Sequence, residues 1–133
     1  MIVTDTSVLV DFFRGRNTAG AQRLEQIERD GVPFAIPAVC CQELLQGARD
    51  QKEWGLLLQH LQSQRILVPK DSWVCHRAAA RIFFDCRQKG FTIRSTVDCF
   101  IAQMVLEQDG TLLHNDEDFE RIAKVRRLHT LRK

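Results

Sequence analysis

Ile2-Val3-Thr4-Asp5-Thr6-Ser7-Val8-Leu9-Val10 opens the chain, and its reading decides the rest. Ile2-Val3-Thr4 is a short run of β-branched residues, a buried strand by pattern. An acid follows at once. Val8, Leu9, Phe12 and Phe13 then recur at helical spacing until Gly15 stops them. The same succession of strand and helix repeats along the chain. Ala21, Leu24 and Ile27 mark a helix ended by Asp30-Gly31. Phe34-Ala35-Ile36, between Pro33 and Pro37, is a second strand. Pro37 suits the first turn of a helix over about Ala38 to Ala48, because its missing N–H is not needed there. Trp54, Leu57, Leu58 and Leu61 give an amphipathic helix whose apolar residues belong to the core, and Arg65-Ile66-Leu67-Val68 a third strand. Two longer helical patterns follow. One runs through Val74, Cys75, Ala78, Ala79, Ile82, Phe83 and Cys86 to Gly90. The other runs through Val97, Phe100, Ile101, Met104 and Val105 to Asp109-Gly110. Thr111-Leu112-Leu113 is a fourth strand, Phe119, Ile122 and Ala123 mark a short helix, and residues 128–131 a last strand. Strands separated by helices imply right-handed crossovers and a parallel sheet covered on both faces. The expected class is α/β, with three layers, α/β/α.

At 133 residues the chain is expected to form one domain, residues 1–133. Lys+Arg 19 against Asp+Glu 17 leaves a net charge of +2, which excludes a strongly basic tail and an acidic disordered chain. A chain this long buries enough surface to need no disulfides. The five cysteines form no C-x-x-C pair and read as buried thiols in a reducing compartment. The sequence has no run of 18 apolar residues, and its start lacks the layout of a signal peptide. The expectation is a soluble cytoplasmic protein with no membrane partner.

In such a sheet chemistry gathers beyond the C-terminal strand ends, where strand order reverses. That rule singles out five acids. Asp5 follows strand one, and Asp116 and Asp118 follow strand four. Glu43 lies in the helix after strand two, and Asp98 in the first turn of the helix before strand four. With strands one and four adjacent, Asp5 and Asp116 face each other, and Glu43 and Asp98 complete the cluster. Each acid also has a local reading. Asp5 fits a helix N-cap. Ser95-Thr96-Val97-Asp98 has the form of a capping box with Asp in place of Glu. Asn115-Asp116-Glu117-Asp118 fits an Asn cap followed by acids that the helix dipole favours. Glu43 shares an inward stripe with Val39, Cys40 and Gly47, or sits at the margin of one formed by Cys41, Leu44, Leu45 and Ala48. These local readings do not account for all the acids together. Converging carboxylates repel, and one protonates unless a cation intervenes. Hard oxygen donors without convergent His or Cys select Mg²⁺ or Mn²⁺ over zinc. Such ions activate a water, orient a phosphodiester and stabilise the leaving oxygen. The expected reaction is metal-assisted phosphodiester hydrolysis.

The opening nonapeptide resembles the start of PIN-domain nucleases. Glu43 after a Pro-led helix start, Val97-Asp98-Cys99-Phe100-Ile101-Ala102, and Leu112-Leu113-His114-Asn115-Asp116-Glu117-Asp118-Phe119 resemble their other three motifs. Together they span nearly the whole chain, which looks most like a VapC-type toxin ribonuclease. This resemblance implies a PIN-like parallel five-stranded sheet in the order 3-2-1-4-5. It also implies a Mg²⁺- or Mn²⁺-dependent endoribonuclease, with Asp5, Glu43, Asp98 and Asp116 as catalytic, metal-holding acids and Asp118 as an accessory one. RNA (often transfer RNA) is the implied substrate, a VapB-type antitoxin the implied partner, and a homodimer the implied assembly. In one departure, His114 stands where the family often has Thr or Ser.

Other residues carry two readings each. Thr6 and Ser7 could bond a phosphate or metal-bound water, or satisfy backbone groups at the helix start. Arg14, Arg16 and Arg94 could hold RNA phosphates, or be solvated surface charges. His114, alone among the four histidines in lying near the acids, reads as structural or RNA-contacting. Residues 121–133 carry Arg121, Lys124, Arg126, Arg127, Arg132 and Lys133 and no acid, a patch for RNA or antitoxin or a plain soluble terminus. The helix of Trp54 and its predecessor could form a groove for a partner's amphipathic helix. Two further function classes compete. A phosphoacceptor receiver wants paired acids after strand one, where only Asp5 stands, and its third strand ends here in Val68-Pro69-Lys70-Asp71. A non-catalytic interaction module would use the acids as helix caps alone.

Overall fold

Alternating apolar strands and capped helices give twelve elements in the computed structural model, which describes residues 1–132, with side chains through residue 131. They run β1 (Ile2–Thr4), α1 (Thr6–Phe13), α2 (Ala19–Arg29), β2 (Phe34–Pro37), α3 (Ala38–Gln46), α4 (Gln51–Gln62) and β3 (Arg65–Leu67). There follow α5 (Ser72–Gln88), α6 (Thr96–Glu107), β4 (Thr111–His114), α7 (Glu117–Ile122) and β5 (His129–Arg132). Most helices start on a short polar residue whose side chain accepts from a backbone N–H of the first turn: Asp5, Thr18, Asp50, Asp71, Ser95 and Asp116. Helix α3 is the exception, starting on Pro37 without a side-chain cap. Pro37 ends β2 rather than entering the helix, since its φ of −57° and ψ of 138° continue an extended strand.

The sheet is parallel throughout, in the order β3-β2-β1-β4-β5. The central strands are apolar and fully covered: Val3, Ala35, Ile36, Leu112 and Leu113 are all buried. Helix α1 packs on α2 and α3, and α3 on α4. Helices α5, α6 and α7 pack on one another. Right-handed crossovers place the first group on one face and the second on the other. The three expected layers follow.

Gly110 sets how closely β4 approaches β1. A Cβ there would lie 3.0 Å from the Met1 carbonyl oxygen. Its absence lets Thr111 N–H donate to that oxygen at 2.8 Å. Thr4 then pairs with Leu113, so β1 and β4 end side by side. Because β2 and β5 lie outward in opposite directions, this pair is the reversal point of the sheet.

Two expectations shift. Trp54 is 40% exposed, while Leu57 and Leu61 carry the buried stripe of α4. The basic terminus is only partly seen, since Lys133 and the Arg132 side chain lie outside the described residues. All five cysteines are free thiols; Cys40, Cys75, Cys86 and Cys99 are buried and Cys41 partly so. No described helix is long and apolar enough to cross a membrane.

Candidate active site

The end of β1 delivers Asp5 beside the end of β4, where its backbone N–H donates to Leu113 O at 3.2 Å. Its side chain is a helix cap and more. Val8 N–H donates to Oδ1 at 3.4 Å, and Ser7 Oγ donates to both carboxylate oxygens at 2.9 Å. Burial pushes Asp5 up to about 6, against the hydrogen bonds from Ser7 and Val8 and with the help of Asp116's negative charge. Ser7 Oγ also accepts from Asn115 N–H at 3.3 Å, which ties α1 to the turn after β4.

Glu43 reaches the crevice from α3, three residues after buried Cys40 and just before buried Leu44. It therefore lies at the edge of the inward stripe. Thr6 Oγ1 donates to its Oε1 at 2.6 Å. Cys40 sits beside this pair; burial, Asp5 and Glu43 push its thiol well above the ordinary range despite hydrogen bonding from Thr6.

Asp98 is in the first turn of α6. The expected capping box does not form, because Ser95 Oγ accepts from Val97 N–H. Nor does any described residue donate to the Asp98 carboxylate. Burial pushes Asp98 up to about 7, joined by repulsion from Asp116, Asp118, Asp5 and Glu43 in that order. Asp98 thus feels the charge of the other four acids. One carboxylate oxygen each from Asp98, Asp116 and Asp118 lies within 4.8 Å of the others. Asp5 and Glu43 stand outside that tighter group.

Asp116 is the N-cap of α7, in the place read from sequence as an Asn115 cap. Its Oδ1 accepts from Asp118 N–H at 2.9 Å and from Arg94 Nη2 at 3.0 Å. Asp118 is fully buried and engaged on both oxygens. Oδ2 accepts from Arg94 N–H at 3.0 Å and Arg94 Nε at 3.2 Å, and Oδ1 from Arg121 Nη1 at 2.8 Å. Burial alone would raise Asp118; the Arg94 and Arg121 bonds outweigh it and hold the carboxyl below its usual range. Arg94 therefore lies on the acids themselves. Arg14 lies apart, exposed on a groove of about 700 Å³ that it lines with Arg16, Arg49, Phe13, His60 and, at the crevice, Glu43. The groove runs between α1 and the α3–α4 hairpin.

His114 is buried at the end of β4. Its Nδ1 accepts from Asp116 N–H at 3.1 Å, so the ring proton sits on Nε2 and donates to Glu120 Oε2 at 3.0 Å. Thr130 Oγ1 donates to the same Glu120 oxygen at 2.9 Å. Sequence reading missed Glu120 and Thr130, since nothing in their spacing marks them as partners of His114.

Acids whose charges help to raise Asp98, itself a carboxylate without a donor, suit a hard divalent cation. The profile of the PIN domain matches residues 2–125. The chain belongs to the PIN domain family. This PIN domain is 30% identical over 129 residues to Ribonuclease VapC11 of Mycobacterium tuberculosis, covering 96% of each chain. VapC ribonuclease Mb1587 of Mycobacterium bovis matches to the same degree. Among solved structures, VapBC2 from Rickettsia felis bound to a promoter DNA fragment superposes with a TM-score of 0.75 at 21% identity, covering 100% of this chain and 99% of that one. VapBC-1 from nontypeable Haemophilus influenzae gives 0.70 at 20% identity, covering 99% and 98%. The sheet order implied by the sequence resemblance is thus the order found.

Proposed function

We propose that this PIN domain is a Mg²⁺- or Mn²⁺-dependent endoribonuclease, the toxin of a toxin–antitoxin pair, acting as one domain over residues 1–133. The observation that carries the reading is Asp98: half-buried, without a donor, and repelled by four other acids. Such a group holds a proton into the neutral range unless a cation beside it stabilises the ionised form. Asp5, Glu43, Asp98 and Asp116 would hold the ion, which when bound supplies Lewis-acid activation of a water and of the phosphodiester. The protein's own groups prepare that site. Ser7 orients Asp5, Thr6 orients Glu43, and the His114–Asp116 N–H bond fixes the turn that carries Asp116. Arg14 and Arg94 would hold RNA phosphates on either side of the acids.

The mycobacterial relatives are ribonucleases by name, which supports RNA as the substrate, structured RNA such as transfer RNA included. The solved neighbours are toxin–antitoxin complexes, which supports a VapB-type antitoxin as partner. A homodimer working in the cytoplasm completes the reading. The test is incubation of transfer RNA and ribosomal RNA with the purified chain in Mg²⁺, Mn²⁺ or EDTA. Cleavage in the metal arms alone, abolished by Asp98→Asn, is expected; cleavage that survives both EDTA and Asp98→Asn would overturn it.

A further inference from the structure

We propose that Arg94 is a built-in counter-cation of the carboxylate pocket, holding Asp116 until a divalent ion takes that carboxylate from it. The inference rests on the metal-dependent reading above and adds a competitor for the metal drawn from the chain itself.

Arg94 is held in two unequal ways. Its backbone N–H and its Nε both donate to Asp118 Oδ2, at 3.0 and 3.2 Å. Asp118 is buried, with a side chain only 1% exposed, and its other oxygen is taken by Arg121 at 2.8 Å. With both oxygens engaged, Asp118 is an anchor for Arg94 rather than a ligand in waiting. The far end of the guanidinium is different. Nη2 donates to Asp116 Oδ1 at 3.0 Å, in a side chain that is 72% exposed. Exposed ion pairs are weak and exchange readily. A divalent ion held by several hard carboxylates outbids such a pair, whereas the anchored end has no reason to leave. Arg94 thus has a fixed root and an exchangeable tip. Asp98, one carboxylate away, has no donor to give up. Arg94 covers Oδ1 of Asp116 and leaves its Oδ2 and Asp98 open, so an ion that takes Asp116 through Oδ1, or through both its oxygens, must displace the arginine. A ligand that must displace a resident contact binds more weakly by the strength of that contact.

The experiment is Mn²⁺ binding to the RNA-free chain, read by electron paramagnetic resonance, with wild type, Arg94→Gln, Arg94→Lys and Asp118→Asn. Arg94→Gln is expected to bind Mn²⁺ roughly two- to fivefold more tightly than wild type, the value of an exposed pair. Arg94→Lys keeps the charge but loses the planar fork that grips Asp118 and Asp116 together. It is expected to bind more tightly than wild type and less tightly than Arg94→Gln. A positive charge acting only at a distance would instead leave Arg94→Lys equal to wild type, which overturns the proposal. Asp118→Asn is expected to cost less than tenfold; a larger loss makes Asp118 a ligand and also overturns it. Equal binding by wild type and Arg94→Gln defeats this inference alone. No Mn²⁺ binding by any of the four chains defeats it together with the metal-dependent reading.

Discussion

Thr6 Oγ1 donates to Glu43 Oε1 at 2.6 Å, joining the first residue of α1 to the middle of α3 across thirty-seven positions of sequence. A carboxylate on a helix face has several rotamers, and this bond selects one. Thr6→Val keeps the shape and removes the donor. It is expected to cost about 1 kcal/mol in stability. The Mg²⁺ concentration for half-maximal RNA cleavage is expected to rise several-fold, with the RNA KM little changed. Thr6→Ser retains the hydroxyl and is expected to restore the metal dependence. Equal metal dependence in wild type and Thr6→Val would show that Glu43 needs no such support.

The raised acids make a pH prediction of definite sign. Asp5 at about 6 and Asp98 at about 7 bind protons more tightly in the folded chain than in the unfolded one, where a carboxyl titrates near 3.8. Their contribution to stability is complete below pH 4 and is lost as pH rises towards 7, because the unfolded chain sheds its protons first. Asp98→Asn removes the larger of the two effects. At pH 7.5 without metal it is expected to be more stable than wild type by about 1 kcal/mol, roughly 3–5 °C in Tm for a chain of this size. At pH 4 the two should melt together. Added Mg²⁺ should raise the wild-type Tm and leave that of Asp98→Asn nearly still. Calorimetry at the two pH values checks this; a variant that melts lower than wild type at pH 7.5 contradicts it.

The succession of strands and helices was legible because β1, β2 and β4 are short, largely buried apolar runs followed by helices. The edge strands β3 and β5 are more exposed, and the strand order came from the family resemblance. The meeting of Asp5 with Asp116 follows from strand order alone. Asp5 is the N-cap read from sequence and Asp116 takes the cap read for Asn115, yet each also faces other acids. A carboxylate has two oxygens, and capping occupies one face of the group. Asp116 spends Oδ1 on Asp118 N–H and Arg94, and no described residue donates to its Oδ2. Asp98 went the other way: it sits in the box-like tetrapeptide and forms no box. What spacing could not show was pairing between elements. Nothing in the spacing around Arg94, read there for phosphate, shows that the fold also brings it to acids 22 and 24 positions away. Trp54 and Leu58 obey the helical period but lie outside the buried stripe of Leu57 and Leu61, so a correct period still misassigned part of that face.

His114 offers a third test. It is buried with both ring nitrogens engaged, one by Asp116 N–H and one by Glu120. Leucine would fill much of the space and satisfy neither. His114→Leu is expected to cost about 1–3 kcal/mol, the range for stranding buried polar partners. Asparagine can accept from the N–H two residues on, as in an Asx turn. His114→Asn should therefore recover metal affinity better than stability. Urea unfolding at constant m-value gives the stability difference, and Mn²⁺ titration the other. A Leu variant as stable as wild type would reduce His114 to a space filler.

Two glycines separate backbone freedom from close approach. At Gly55, inside α4, a Cβ would meet nothing within 4 Å, so alanine fits without strain. It also removes the entropy that glycine loses on folding. Gly55→Ala is expected to stabilise by about 0.5–1 kcal/mol. At Gly110 the new methyl would sit 3.0 Å from Met1 O, a backbone atom already bonded to Thr111 N–H. Relief requires β1 and β4 to part at their N-terminal ends, loosening the pair whose other ends carry Asp5 and Asp116. Gly110→Ala is therefore expected to destabilise by about 1–3 kcal/mol. Because Thr4 and Leu113 remain paired three residues on, RNA cleavage by the folded fraction should fall far less than stability does. Melting and cleavage of both variants, measured side by side, check the signs; a Gly110→Ala chain as stable as wild type would mean that the strand ends yield without cost.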